Sequence, residues 1–179
     1  GITDGVLFNL IDGGFRLLIF LIYLGLISLW KEIRRIFEYH GAEHLSIFTY
    51  ESGKELTVEN TKEFQTHHPR CGTSFLLVVM LVSILVFMTL GRPETIGDRF
   101  LRFLFIPVIG GLSYEIIKLS AKKYGKPIAR LLVAPGLWLQ RITTKQPDEE
   151  QLEVALTALK SSLSMDLGSK VEVYQKSSI

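Results

Sequence analysis

Between Arg70 and Arg92 the chain runs for twenty-one residues without a charge, CGTSFLLVVMLVSILVFMTLG. Wound as an α-helix this run is roughly 31 Å long, the thickness of a bilayer's hydrocarbon core. In lipid a lone segment of that length satisfies its backbone only as a helix, so the run fixes the class as a membrane protein that is mainly α. Hydrophobic residues make up 47% of the sequence and the mean hydropathy is +0.29. The apolar residues are gathered into blocks instead of being spread at helical or strand spacing.

Two weaker runs complete an array of about three transmembrane or re-entrant helices. Fourteen uncharged residues, LLIFLIYLGLISLW, lie between Arg16 and Lys31. They fall short of a ~30 Å core unless Arg16 snorkels or Gly13 to Phe15 extend the helix. Residues 1–16 then form an interfacial lead-in, Trp30 is an interface aromatic, and the helical pattern continues through Ile33, Ile36 and Phe37 toward His40. The third run, Phe103 to Ile117, is broken by Pro107, by Gly110 and Gly111 and by Glu115, and reads as a kinked span or a re-entrant piece. A carboxylate at such depth calls for a partner, with Arg16 and Arg102 as candidates; otherwise Glu115 marks the helix end at the headgroups. Residues 131–139, LLVAPGLWL, are too short to span and contain Pro-Gly, which predicts an interfacial or re-entrant segment.

Outside these runs the pattern predicts a small α+β part. Leu45–Tyr50 and Glu55–Val58 are β-rich around Ser52-Gly53, which predicts a hairpin, and Thr57 caps a short helix toward Phe64. Pro147, Asp148, Glu149 and Glu150 open an amphipathic C-terminal helix with Leu152, Ala155, Leu156, Leu159 and Leu163 on one face. Gly168 ends it, and Val171–Tyr174 adds a strand to the hairpin. The chain thus divides into a lead-in and first membrane helix (1–30), a His-rich loop region (31–70), further membrane helices with the interfacial segment (71–140), and a soluble helix and strand (141–179). Basic residues crowd the segments after the first and third apolar runs, whereas Arg92 and Arg99 in the turn at 91–99 are balanced by Glu94 and Asp98. The positive-inside rule then predicts a multi-pass protein of the cell membrane with the His/Cys loop and the C-terminus cytoplasmic. The chain begins at Gly1, with no evident cleavable signal peptide, as expected of a processed or trimmed chain.

All four histidines and the single cysteine fall between Glu38 and Phe75. His40 and His44, four apart, share one face of a helix, and Glu43 precedes the second: the H-x-x-E-H arrangement of two metal ligands and a carboxylate base. His67, His68 and Cys71 lie beyond a loop. His68 is the preferred third ligand because Pro69 fixes the chain just after it. Cys71 is either a fourth ligand or a helix-start thiol. Closure by Cys71 argues for a structural metal, since a catalytic zinc keeps one position open. Glu51 and Glu59 are reserve carboxylates, and Arg70 is the candidate for holding an anionic group. A lone cysteine excludes an internal disulfide framework. A net charge of +2 gives no nucleic-acid signature.

FEYHGAEH, the pair Tyr50-Glu51, LTVEN, HPRCGTSF and ITTKQPDEEQLEVALTAL resemble the YqhQ-like family, uncharacterised bacterial membrane proteins taken to be metal-dependent enzymes. The resemblance runs from about Gly1 to Leu163, and the pairing of HGAEH with HPRCGTSF makes it specific. Family members are longer at the amino terminus and typically carry a lysine where this chain has Leu45. The resemblance implies a metal-dependent enzyme without an established substrate.

Two functions follow. In the first, zinc or another divalent transition metal on His40, His44 and His68 activates water, Glu43 takes the proton, and a lipid, peptide or lipid-linked substrate is hydrolysed at the cytoplasmic membrane face. In the second, a structural metal serves a non-catalytic assembly or partner-binding protein. Expected partners are membrane lipid, the substrate and a second copy of the chain; no nucleic acid is expected. Transport is a weaker third function, resting on Glu115 alone.

Overall fold

The computed structural model describes residues 4–122 and 127–163. Among these, eight helices occur and no strand: α1 (Gly5–Ile27), α2 (Lys31–Glu51), α3 (Val58–Thr61), α4 (Gly72–Leu90), α5 (Ile96–Leu104), α6 (Ile106–Lys122), α7 (Pro127–Thr143) and α8 (Glu149–Ser162). They fall into two compact units, one of Gly1–Trp30 with Pro69–Thr143 and one of Lys31–His68 with Thr144–Ile179.

The first unit contains the apolar helices. Gly5–Ile27, Gly72–Leu90 and Ile96–Ser120 are long and apolar enough to cross a membrane. Their outward side chains are those of a lipid-facing surface, with Phe15, Ile19, Leu26 and Leu85 all more than 60% exposed. From Gly5 on, the predicted lead-in is itself helical. Asp4 caps α1 by accepting from the Val6 and Leu7 amides, and Arg16 lies inside the helix, its Nε donating to Asp12 at 2.8 Å. Continuity from the first run toward His40 is broken: α1 ends with the Ser28 amide bonded to the Leu24 carbonyl, and α2 starts afresh at Lys31. The third run is a kinked span. The Thr95/Asp98 capping box starts α5, so part of the expected turn at 91–99 is helix. Phe105 closes α5, and Pro107 sits in the first turn of α6, where its missing amide costs nothing. Neither arginine serves Glu115, which pairs with Lys118 at 3.4 Å. Arg16 pairs with Asp12, and Arg102 donates to Asn9 and to the Gly91 carbonyl.

Small and polar residues set the packing within this unit, as expected where lipid supplies no hydrophobic drive between helices. A Cβ on Gly136 would lie 2.5 Å from Ser74 Cβ, so α7 rides close on α4, and buried Gln140 donates to Ser74 Oγ at 2.8 Å. Residues 131–139, expected as an interfacial or re-entrant segment, are helical throughout, with Pro135 inside α7. Gly13 likewise brings α1 onto Ile84 of α4.

The second unit is α2, α3 and α8. Its core is Ala42, Leu45 and Leu152, with Val58, Phe64 and Ala155 against it. The predicted hairpin does not form, because Leu45–Tyr50 continues α2. The buried positions Ala42, Leu45, Ser46 and Thr49 recur at helical spacing, and packing on α8 overrides the β-propensity of LSIFTY. The Ser46 and Thr49 hydroxyls donate back to the Ala42 and Leu45 carbonyls at 2.8 Å, so neither is stranded in the core. The Ser52-Gly53 signal is real but ends a helix: Gly53 takes φ of 72° just past Glu51. Thr57 caps α3 as its sequence predicts, although the helix stops at Thr61. Asp148 and Gln151 form the capping box of α8, which closes at Leu163, before Gly168. The expected strand at Val171–Tyr174 lies outside the described residues. At the surface Lys62 bridges α3 to Glu149 of α8 at 2.6 Å; hydrogen bonding and charge raise the lysine pKa and lower the carboxylate's.

Candidate metal centre

The second unit presents its chemistry along one stripe of α2. His40, His44, Phe48 and Glu51 follow one another at helical spacing, so their side chains share a face. The opposite side of the helix is the core, which explains the residues between the histidines. A Cβ on Gly41 would lie 2.1 Å from the Lys145 carbonyl oxygen. Only glycine admits the strand of chain that crosses there, where the Lys145 amide donates to the Phe37 carbonyl at 2.9 Å. Ala42, fully buried, is the small residue against Leu152. Leu45 belongs to that core too, so its place is under α8 and not among the histidines.

The His40 and His44 rings are 4.4 Å apart between centroids, and His68, from the segment that follows α3, brings its ring to 5.6 Å from His44. Phe48 packs on His68 at 4.5 Å and stacks with Phe64 at 5.9 Å, giving the ring an apolar wall. His44 and His68 are 4% and 5% exposed. Nδ1 of His44 meets the Thr66 carbonyl. A carbonyl only accepts, so Nδ1 carries a proton, and in the neutral ring that leaves Nε2 as the atom with the lone pair. Glu51 completes the group, with Oε2 3.6 Å from His68 Nε2. Glu43 is exposed, one position and about 100° around α2 from His44. His67 is half-buried; Glu59 is exposed on α3. The reserve carboxylate Glu51 is thus the one beside the histidines. The Thr66 carbonyl has no side-chain signature and was not legible; Phe48 was, as a member of the stripe.

The other sequence candidates belong to the first unit. Cys71 is the N-cap residue of α4, is buried, and has Sγ 3.1 Å from Thr73 Oγ1. With Arg70 it lines a cavity of about 800 Å³ that Phe75, Tyr114, Ile117 and Lys118 extend along α4 and α6. This cavity has cationic groups at one end and aromatic and aliphatic walls.

Fold and site together define a helical membrane protein with a clustered histidine site. The chain belongs to the family described as "Protein of unknown function (DUF1385)", whose model matches residues 2–165. It is 38% identical over 156 residues to the "Uncharacterized protein YqhQ" of Bacillus subtilis (strain 168), covering 87% of this chain and 49% of that protein. The chain thus spans about half the length of this curated relative. No solved structure matches it.

Proposed function

We propose that this chain is the metal-binding part of a membrane-anchored, hydrolase-type enzyme, in which His40, His44 and His68 hold a zinc or similar divalent transition metal. The observation that carries the reading is the His44 ring: its Nδ1–H is committed to the Thr66 carbonyl, the backing that metal-bound histidines receive, which leaves Nε2 as the ligand atom beside two further imidazoles. A metal held there would supply Lewis acidity and an acidic water near neutral pH. Exposed Glu43 would take a proton from that side of α2. Arg70 is the proposed residue for holding an anionic group of a lipid, peptide or lipid-linked substrate. Cys71 lies three residues beyond His68, and chain geometry alone keeps their Cα atoms within about 11 Å. As a fourth donor it would close the site, which belongs to the second, structural reading.

The second reading, a structural metal in an assembly factor, draws on Glu51: beside His68 it offers a fourth protein ligand that would close the site. Elemental analysis of purified protein tests the shared premise. About one metal per chain is expected, and its loss in His40→Ala/His44→Ala; equal metal in parent and variant would overturn both readings.

A further inference from the structure

A second cavity in the first unit, about 420 Å³, gathers Asp12, Arg16 and Arg102 where three apolar helices meet. Ionisable side chains are costly in a membrane-spanning unit and mark functional positions there by default. The two guanidiniums exceed the one carboxylate, so the cavity carries a net positive charge. Arg102 is held in place by the protein: it lies 4.9 Å above the Phe87 ring, and its Nη2 donates to Asn9 Oδ1 at 2.8 Å and to the Gly91 carbonyl. Asn9 Nδ2 donates to that same carbonyl at 2.8 Å. Nη1 and Nε of Arg102 make no hydrogen bond to the described residues. A guanidinium with anchored Nη2 and two free donors is suited to an anion.

Position along the helices adds a second constraint. Gly91 is the residue just past α4, so the Arg102 head sits at the end of that span, where lipid headgroups lie. Met80, at the other end of the cavity lining, is ten residues before Leu90, roughly 15 Å deeper along the helix. Ile84 and Ile106 line the side between. Arg102 at headgroup level above the apolar Ile84, Met80 and Ile106 matches an amphiphile; Arg16 starts deeper, since Asn9 meets Gly91 and Gly13 meets Ile84, and its guanidinium turns back up α1 to Asp12.

We propose that this cavity binds an anionic membrane amphiphile, with its phosphate on Arg102 and Arg16 and its tail along Ile84, Met80 and Ile106. Native mass spectrometry of the detergent-purified full chain tests this, using phosphatidylglycerol, phosphatidylcholine of the same chains, and inorganic phosphate as probes. A 1:1 phosphatidylglycerol adduct is expected, at least tenfold favoured over phosphatidylcholine and not displaced by equimolar inorganic phosphate. Arg16→Gln, at a side chain 72% exposed, should weaken that adduct at least fivefold with an unchanged thermal midpoint as the folding control, and Arg102→Gln should weaken it further. Asp12→Asn should strengthen it, because it removes the opposing charge. If Asp12→Asn lost the lipid as Arg16→Gln does, the Asp12–Arg16 pair would be a structural clamp and the proposal would fail. Displacement by inorganic phosphate would make the site one for free anions, and equal retention of the two lipids would make it a non-specific groove; either overturns the amphiphile.

Discussion

His44 lies beside two further imidazoles, His40 and His68, with its Nδ1 on the Thr66 carbonyl, and the turn that carries it packs tightly at Gly41. Gly41→Ala puts a methyl 2.1 Å from the Lys145 carbonyl oxygen, a backbone atom that cannot swing aside, so either α2 or the crossing segment must shift. We expect a loss of about 1–3 kcal/mol, the usual cost of overpacking, read as a lowered thermal midpoint. Metal content should fall with it, because His40 and His44 flank the displaced turn. Glu43→Gln separates the two functional readings. The exposed carboxylate supports no described contact of the core, so the variant should fold and keep its metal while losing about 10²–10⁴-fold in rate if Glu43 is the base. Full complementation of the gene's cellular phenotype by Glu43→Gln, with unchanged metal content, would favour the structural metal. The histidines were legible because i, i+4 spacing and a proline-fixed His68 are local signals. The Thr66 carbonyl and the crossing at Gly41 were not, since backbone contacts leave no residue type behind.

At the scale of elements, the apolar helices were readable from charge-free length, while the short segments misled wherever packing outweighed local propensity. LSIFTY has the composition of a strand, yet Leu45 and Thr49 are both fully buried on a helix face. That pattern emerges only when Ala42 is counted with them. LLVAPGLWL looks broken by Pro135-Gly136, but Gly136 is what allows α7 to lie against Ser74 of α4, and Gln140 then reaches Ser74. The glycine of the dipeptide read as marking an interfacial or re-entrant segment is a packing device. Gly136→Leu should therefore separate α7 from α4 and lower the melting temperature of the detergent-solubilised protein. Leu131→Ala, a change at a side chain 73% exposed on the same helix, should leave it nearly unchanged. Equal effects of the two substitutions would remove the close approach as the reason for the α4–α7 pairing.

For the whole molecule, the arrangement across the membrane is what the proposed function depends on. Lys31, Arg34 and Arg35 open the segment that carries the histidines and Arg70 closes it, whereas the Gly91–Thr95 turn at the far end of α4 has Arg92 offset by Glu94. The positive-inside rule predicts the first of these in the cytoplasm and the second outside. Cys71 is a poor reporter of this, being buried at 6% exposure, so the native thiol should be removed and new ones placed at exposed sites. In a Cys71→Ser background, Glu55→Cys stands in the loop after α2 and Glu94→Cys in the turn after α4, both exposed. One charge-free helix, α4, lies between them, so a single crossing puts the two thiols on opposite sides. Membrane-impermeant maleimide applied to intact cells should modify Glu94→Cys and spare Glu55→Cys until the membrane is opened. The reverse pattern would invert the topology and move the histidine site outside the cell, and labelling of both in intact cells would mean that α4 does not cross.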